Sequence, residues 1–163
     1  MSDDIPRETV SLPERIDFPR LLDFYEMQDA ANNQLHEFYD HLADGQLTTT
    51  QCADCGAIHF PPRNVCPECM GDDLSYVPLP HEGTLYAFSE VRGSAPIGMN
   101  EDVPFVVGVV DLDGGDVRLS ARIDGVRYDD LSIGDPVELK IIDIDGPTEH
   151  DRVFYRFVPT GER

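Results

Sequence analysis

The chain has 163 residues, room for one domain or two small modules sharing a core, and enough length to bury an interior without a disulfide framework. Its charge is lopsided: 32 acids face 12 bases, a formal net of -20, and the bases are 11 arginines and the single Lys140. Such a surface disfavours general polyanion binding, which needs clustered Lys and Arg, and suits high ionic strength, where screening shortens the reach of carboxylate repulsion; the Asp-rich, Lys-poor balance is of the halophilic type.

Residues 1–16 are polar, carry Pro6 and Pro13, and read as a flexible arm. The opening Met1-Ser2-Asp3-Asp4-Ile5-Pro6 has neither the basic nor the apolar region of a signal peptide. The longest nearly apolar run, Val103 to Val110, falls far short of the roughly 20 residues a membrane span needs. A cytoplasmic protein without a membrane partner is therefore expected, with its cysteines reduced.

Residues 17–45 read as an N-terminal helical segment. Asp17 is placed to cap it, Pro19 suits its first turn, and Leu21, Tyr25, Ala31, Leu35, Phe38, Tyr39 and Leu42 recur near helical spacing until Gly45 offers a stop. Asn32-Asn33 is a point at which it can break in two. Residues 46–80 hold all four cysteines and little that would form a core.

From residue 81 to 163 the text is β. Leu85–Val91, Phe105–Leu112, Val117–Ile123, Val137–Ile144 and Val153–Val158 are β-rich runs parted by turns such as Asp113-Gly114-Gly115-Asp116 and Asp145-Gly146-Pro147. Val117, Leu119, Ala121 and Ile123 alternate with Arg118, Ser120 and Arg122, and Val153, Tyr155 and Phe157 with Arg152, Phe154 and Arg156. Five short strands suit a small β barrel, of which the five-stranded OB-fold is the commonest; an SH3-like barrel or open meander gives similar text.

The cysteines carry the clearest chemistry. Cys52-Ala53-Asp54-Cys55 and Cys66-Pro67-Glu68-Cys69 are two knuckles separated by ten residues, the spacing of a compact zinc ribbon. Each knuckle sets two thiolates on a tight turn whose amides point at sulfur, and together they supply a closed tetrahedral site, structural because no position is left for water. Zinc is the default ion, iron in a rubredoxin-like site uses the same ligands, and two disulfides are the remaining arrangement.

Taken with their neighbours, these residues resemble the rubredoxin-like zinc ribbon of the OB-fold, acyl-CoA-associated family once called domain of unknown function 35. The resemblance runs through Gly45-x-Leu47, the first knuckle, Pro61-Pro62-Arg63, the second knuckle and Gly83-Thr84-Leu85-Tyr86. It continues through Pro104 to Leu112, Leu131 to Val137 and Phe157-Val158-Pro159, covering roughly residues 35–160. One departure is His81-Glu82-Gly83, where the family's glycine pair is reduced to one. The resemblance implies a non-catalytic accessory or scaffold subunit that accompanies a thiolase-superfamily enzyme (a thiolase or a hydroxymethylglutaryl-CoA synthase) or a MaoC-like hydratase, holding or handing over an acyl-CoA while the partner supplies the catalytic residues.

Nothing in the residues argues for an independent enzyme. His36, His41, His59, His81 and His150 sit in no nucleophile motif, all four cysteines are claimed by the metal, and there is no phosphate loop or GxSxG elbow. Arg118 and Arg122 on one strand, with Arg152 and Arg156 on another, form a prospective cationic stripe for the phosphates of coenzyme A, against the plainer reading that they pair with nearby acids. The 93–103 loop, with Ile97 and Met99, is a second prospective contact for acyl-CoA or a subunit. Two other classes compete: a single-stranded nucleic-acid-binding ribbon and OB module, which the net charge opposes, and a rubredoxin-like redox protein, which the fused barrel opposes.

Overall fold

A strand whose side chains alternate between core and solvent is suited to the wall of a barrel, and the C-terminal half of the chain supplies five. The computed structural model describes residues 27–95, 102–114, 117–144 and 152–161. Within them lie helix α1 (His36–Ala43) and strands β1 (Thr48–Cys52), β2 (Ile58–His59), β3 (Leu74–Pro78), β4 (Glu82–Val91), β5 (Phe105–Leu112), β6 (Arg118–Ile123), β7 (Pro136–Ile144) and β8 (Arg152–Pro159). Among the described residues no helix is long and apolar enough to cross a membrane.

The last five strands close a barrel in the order β4-β5-β6-β8-β7, β7 returning to β4 through Glu82 opposite Glu138 and Thr84 opposite Pro136. This is the five-stranded barrel expected of an OB-fold, and all five β-rich runs of the sequence fall on its strands. Closure removes the exposed edges that an open meander would leave. Neighbours are antiparallel except β6 and β8, which meet in parallel at Ile123 and Phe157. Leu85, Val106, Val110, Leu119, Ala121, Ile123, Val137 and Phe157 fill the interior. Gly108 points inward on β5, where a Cβ would meet Leu85 Cδ1 at 2.7 Å and Ile123 Cδ1 at 2.9 Å; glycine there makes room for two larger side chains. A register shift between Leu85 and Ala87 leaves Tyr86 as a bulge on β4, half exposed.

Ahead of the barrel, β1 is flanked by β2 and β3 in a three-stranded antiparallel sheet. It is joined to the barrel by more than its linker. Phe38 of α1 meets the Phe60 ring edge-on at 6.1 Å, and Phe60 meets Tyr155 of β8 at 6.0 Å. Phe38, Leu42 and Leu47 belong to the same buried cluster as the barrel interior, so helix, ribbon and barrel share one core.

Within the 17–45 segment the described residues hold α1, which begins at His36, after the Asn32-Asn33 point at which the sequence allows a break. Residues 17–26 of the expected helical segment lie outside the described residues, as does the arm. In residues 29–35 the chain turns instead. Asp29 accepts from the Ala31 amide and from the Asn32 side chain, and Asn33 accepts from the Leu35 amide, local bonds that compete with helix formation. Gly45 does stop the helix: at φ 85° it lets Gln46 donate back to the His41 carbonyl at 2.8 Å.

Candidate metal centre and the arginine surface

The two cysteine knuckles are built on one backbone plan. In the first, the Cys52 amide donates to the Ala57 carbonyl and Gly56 donates back to Cys52, both at 2.9 Å. The second repeats this, Cys66 to Gly71 and Met70 to Cys66, again at 2.9 Å. Cys52 closes β1, the Ala53 amide donates to Asp73, and Arg63 donates to Thr50 Oγ1, which holds the second knuckle over the first. Gly71 lies close to the first knuckle, where a Cβ would fall 2.3 Å from Asp54 Oδ2 and displace that side chain.

The result brings Cys52, Cys55, Cys66 and Cys69 together with all four sulfurs within 4.8 Å of one another. Cys52 and Cys69, and likewise Cys55 and Cys66, stand 3.6 Å apart, close to the ~3.8 Å edge of a tetrahedron with ~2.3 Å metal–sulfur bonds. All four are free thiols, and the spacing is far from the roughly 2.05 Å of a disulfide, which removes the paired-disulfide arrangement. The donor set asks for a cation. Amides of Cys69 and Glu68, with His59 Nε2 at 3.7 Å, draw the Cys66 thiol down to about 6. Although the Gly71 amide pulls the other way, Cys52, Cys55 and Cys66 crowd Cys69 and push it up to about 12, and Cys55 is also raised. Four thiolates are jointly stable here only around a positive ion, and four soft sulfurs in a tetrahedron suit zinc or iron.

The arginines are arranged less simply than alternation suggests. Arg118 and Arg122 do project from the outer side of β6. Arg118 bonds Asp111 through Nε at 2.5 Å and through Nη2 at 3.1 Å, and lies 3.6 Å above the Tyr86 ring. Arg122 reaches Asp102 at 2.6 Å and Asp124 at 3.0 Å, and covers the Phe105 ring at 4.7 Å. Arg156 shares Asp124 from the other side at 2.7 Å. Arg152 departs from the stripe in one respect: it is 2% exposed, which corrects the expectation of a solvent-facing fourth arginine. The segment before α1 lies on that end of the strand, where Gln28 both donates to and accepts from the Val153 backbone. Thus Arg122 and Arg156 come together, Arg118 stands apart with its own acid, and Arg152 is buried.

Asp124, Asp111 and Asp102 were not singled out from the sequence, and His59 was named there without a role. For one of them a signal was legible: Asp111 and Arg118 flank the Asp113 to Asp116 turn symmetrically and face each other in the hairpin. Asp124 had none, because it reaches Arg156 across the parallel β6–β8 seam. Ile97 and Met99 of the 93–103 loop lie outside the described residues. A cleft of about 450 Å³ does lie between the ribbon and the outer wall of the barrel, lined by Phe60, Pro61, Val109, Arg118, Ser120 and Tyr155.

Comparison with known proteins agrees with this architecture. The sequence profile of the ChsH2 rubredoxin-like zinc ribbon domain matches residues 40–75, and that of the ChsH2 C-terminal OB-fold domain matches residues 76–141. A DUF35 domain-containing scaffold protein of Methanocaldococcus jannaschii is 29% identical over 116 residues, 69% of this chain and 81% of its own length. The benzoylsuccinyl-CoA thiolase subunit BbsA of Thauera aromatica is 35% identical over 103 residues, 61% of this chain and 67% of its own. Among solved structures, a chain of the Ltp2-ChsH2(DUF35) aldolase superposes with a TM-score of 0.64 at 26% identity, covering 82% of this chain and 99% of that one.

Proposed function

The chain belongs to the DUF35 family of zinc ribbon and OB-fold proteins, and from that premise we propose that it is a non-catalytic accessory subunit that scaffolds a thiolase-superfamily enzyme and binds or channels its acyl-CoA. The observation that carries this reading is the likeness over two thirds of a thiolase subunit, from a chain whose four cysteines are gathered into one closed cluster. With those thiols committed to the cluster, they are not offered as nucleophiles for an acyl transfer in this reading.

In this reading Cys52, Cys55, Cys66 and Cys69 hold a structural zinc ion, which fixes the ribbon and performs no step. Arg118, Arg122 and Arg156 are the contacts offered to the phosphates of acyl-CoA. Each already has a carboxylate, so phosphate binding exchanges one anion for another and each arginine contributes modestly. Replacing Arg118 by Ala is expected to weaken acyl-CoA binding by the assembled complex several-fold, while unchanged affinity would make the arginines purely structural.

The subunit role is tested by purifying the tagged full-length chain from its native host at high salt. Stoichiometric recovery of an enzyme that mass spectrometry identifies as a thiolase-superfamily member supports it. Recovery of nucleic acid without such an enzyme overturns it in favour of the single-stranded nucleic-acid-binding alternative.

A further inference from the structure

The ribbon contains its own internal control, because its two knuckles share one hydrogen-bond plan but differ in what they show to solvent. In both, the residue directly after the second cysteine adopts a left-handed backbone. In the first knuckle it is Gly56, at φ 74°; in the second it is Met70, at φ 62°. A left-handed conformation is unfavourable for a residue with a Cβ, and glycine avoids that cost. The turn thus does not call for methionine. Nor does the core, since Met70 is 74% exposed and Val65, immediately before the knuckle, is 46% exposed.

Two exposed apolar side chains flanking one knuckle, one of them at a left-handed position, on a chain of net charge -20, are not explained by folding or by solubility. Methionine is enriched at interfaces because its flexible, polarizable side chain adapts to a pocket. The same stretch, residues 53–73, carries the exposed carboxylates Asp54, Glu68, Asp72 and Asp73, with Arg63 its one arginine or lysine. A second copy of the chain would bring the same carboxylates against these, so like-charge repulsion opposes self-association. A surface with an apolar pocket ringed by Arg or Lys answers both features.

We propose that the second knuckle is a docking point, with Met70 and Val65 inserting into an apolar, base-rimmed pocket on the catalytic subunit that this chain accompanies. The proposal rests on the subunit role above and adds where the enzyme is gripped. It also assigns the ribbon a task apart from the barrel, whose outer wall faces acyl-CoA in the same reading.

The test uses the full-length chain and the enzyme that co-purifies with it, with affinity measured by titration of the separated subunits. The double variant Val65→Ser with Met70→Gly is expected to bind at least tenfold more weakly while retaining the wild-type metal content and an equal or higher melting temperature, because Met70→Gly relieves the backbone. Ile133→Ser, at a comparably exposed apolar side chain on the barrel, is expected to bind as wild type does. Affinity of the double variant within twofold of wild type overturns the docking point, as does equal weakening by Ile133→Ser. Should the double variant lose metal, Met70→Gly alone carries the measurement with the same two outcomes. If the wild-type chain captures no thiolase-superfamily enzyme at all, the subunit role itself fails, a result distinct from either of these.

Discussion

Asp124 shows how much one carboxylate can organise in a chain with few bases. It is largely buried, accepts from Arg122 and Arg156 together, and its amide donates to the Phe157 carbonyl at 2.8 Å, all at the seam where the barrel makes its only described parallel pairing. Replacing it by Ala leaves two half-buried guanidinium groups without this partner and is expected to cost about 1–3 kcal/mol in urea unfolding, against near-neutral behaviour for Asp130→Ala at an exposed pair. Tyr155 is the second telling residue. Burial pushes its phenol up to about 12 from an ordinary 10. Its proton is thus held more tightly folded than unfolded, so the stability it represents is complete below pH 10 and is lost as pH rises from 10 through about 12. Tyr155→Phe should flatten alkaline unfolding in that window by on the order of 2–3 kcal/mol, read from urea curves at pH 9 and pH 12.

At the scale of elements, ribbon and barrel are held by different means. The barrel has a closed ladder and an interior of aliphatic side chains. Between Ala53 and Asp73 the ribbon buries little beyond Pro62 and Cys66, and its strands are short. A tetrathiolate metal supplies the missing energy in such modules, which is why they unfold without it. Stripping the metal with a chelator, or Cys66→Ser, is expected to release amide protection across residues 51–74 while β5 and β6 remain protected in hydrogen exchange. Equal protection of the ribbon with and without metal would make the ion dispensable. Phe60 is the hinge of this contrast, since it lies in the ribbon but packs between Phe38 and Tyr155.

For the whole molecule the dominant fact is charge. With 32 acids and 12 bases, most carboxylates have no base to meet, and the described ion pairs use the arginines repeatedly at few places. Self-repulsion destabilises a compact state and weakens as the screening length falls from ~10 Å at 0.1 M salt to ~3 Å at 1 M. The melting temperature is therefore expected to rise by several degrees between those salt concentrations in scanning calorimetry, and a fall would mean that the paired arginines outweigh the repulsion. The same charge makes the apolar second knuckle conspicuous, because little else on the ribbon surface is apolar.

The metal cluster and the barrel strands were legible in the sequence because both are written in local patterns. A knuckle needs only two cysteines three positions apart, and a barrel strand needs only alternation, so each can be read within a short window. The stop at Gly45 is local in the same sense. What no window contains is the partner of each polar group. Arg152 alternates as an outward residue yet is buried, and a segment more than a hundred residues earlier bonds the adjacent Val153 backbone. Arg122 and Arg156 look like free cations until the β6–β8 seam sets Asp124 between them. At residues 29–35, side-chain bonds from Asp29 and Asn33 offer the backbone a local arrangement that competes with a helix, at the Asn32-Asn33 break the sequence allowed. Local periodicity thus determines the elements, whereas burial and charge pairing depend on which distant surfaces closure of the barrel brings together, and that was decided only by the tertiary structure.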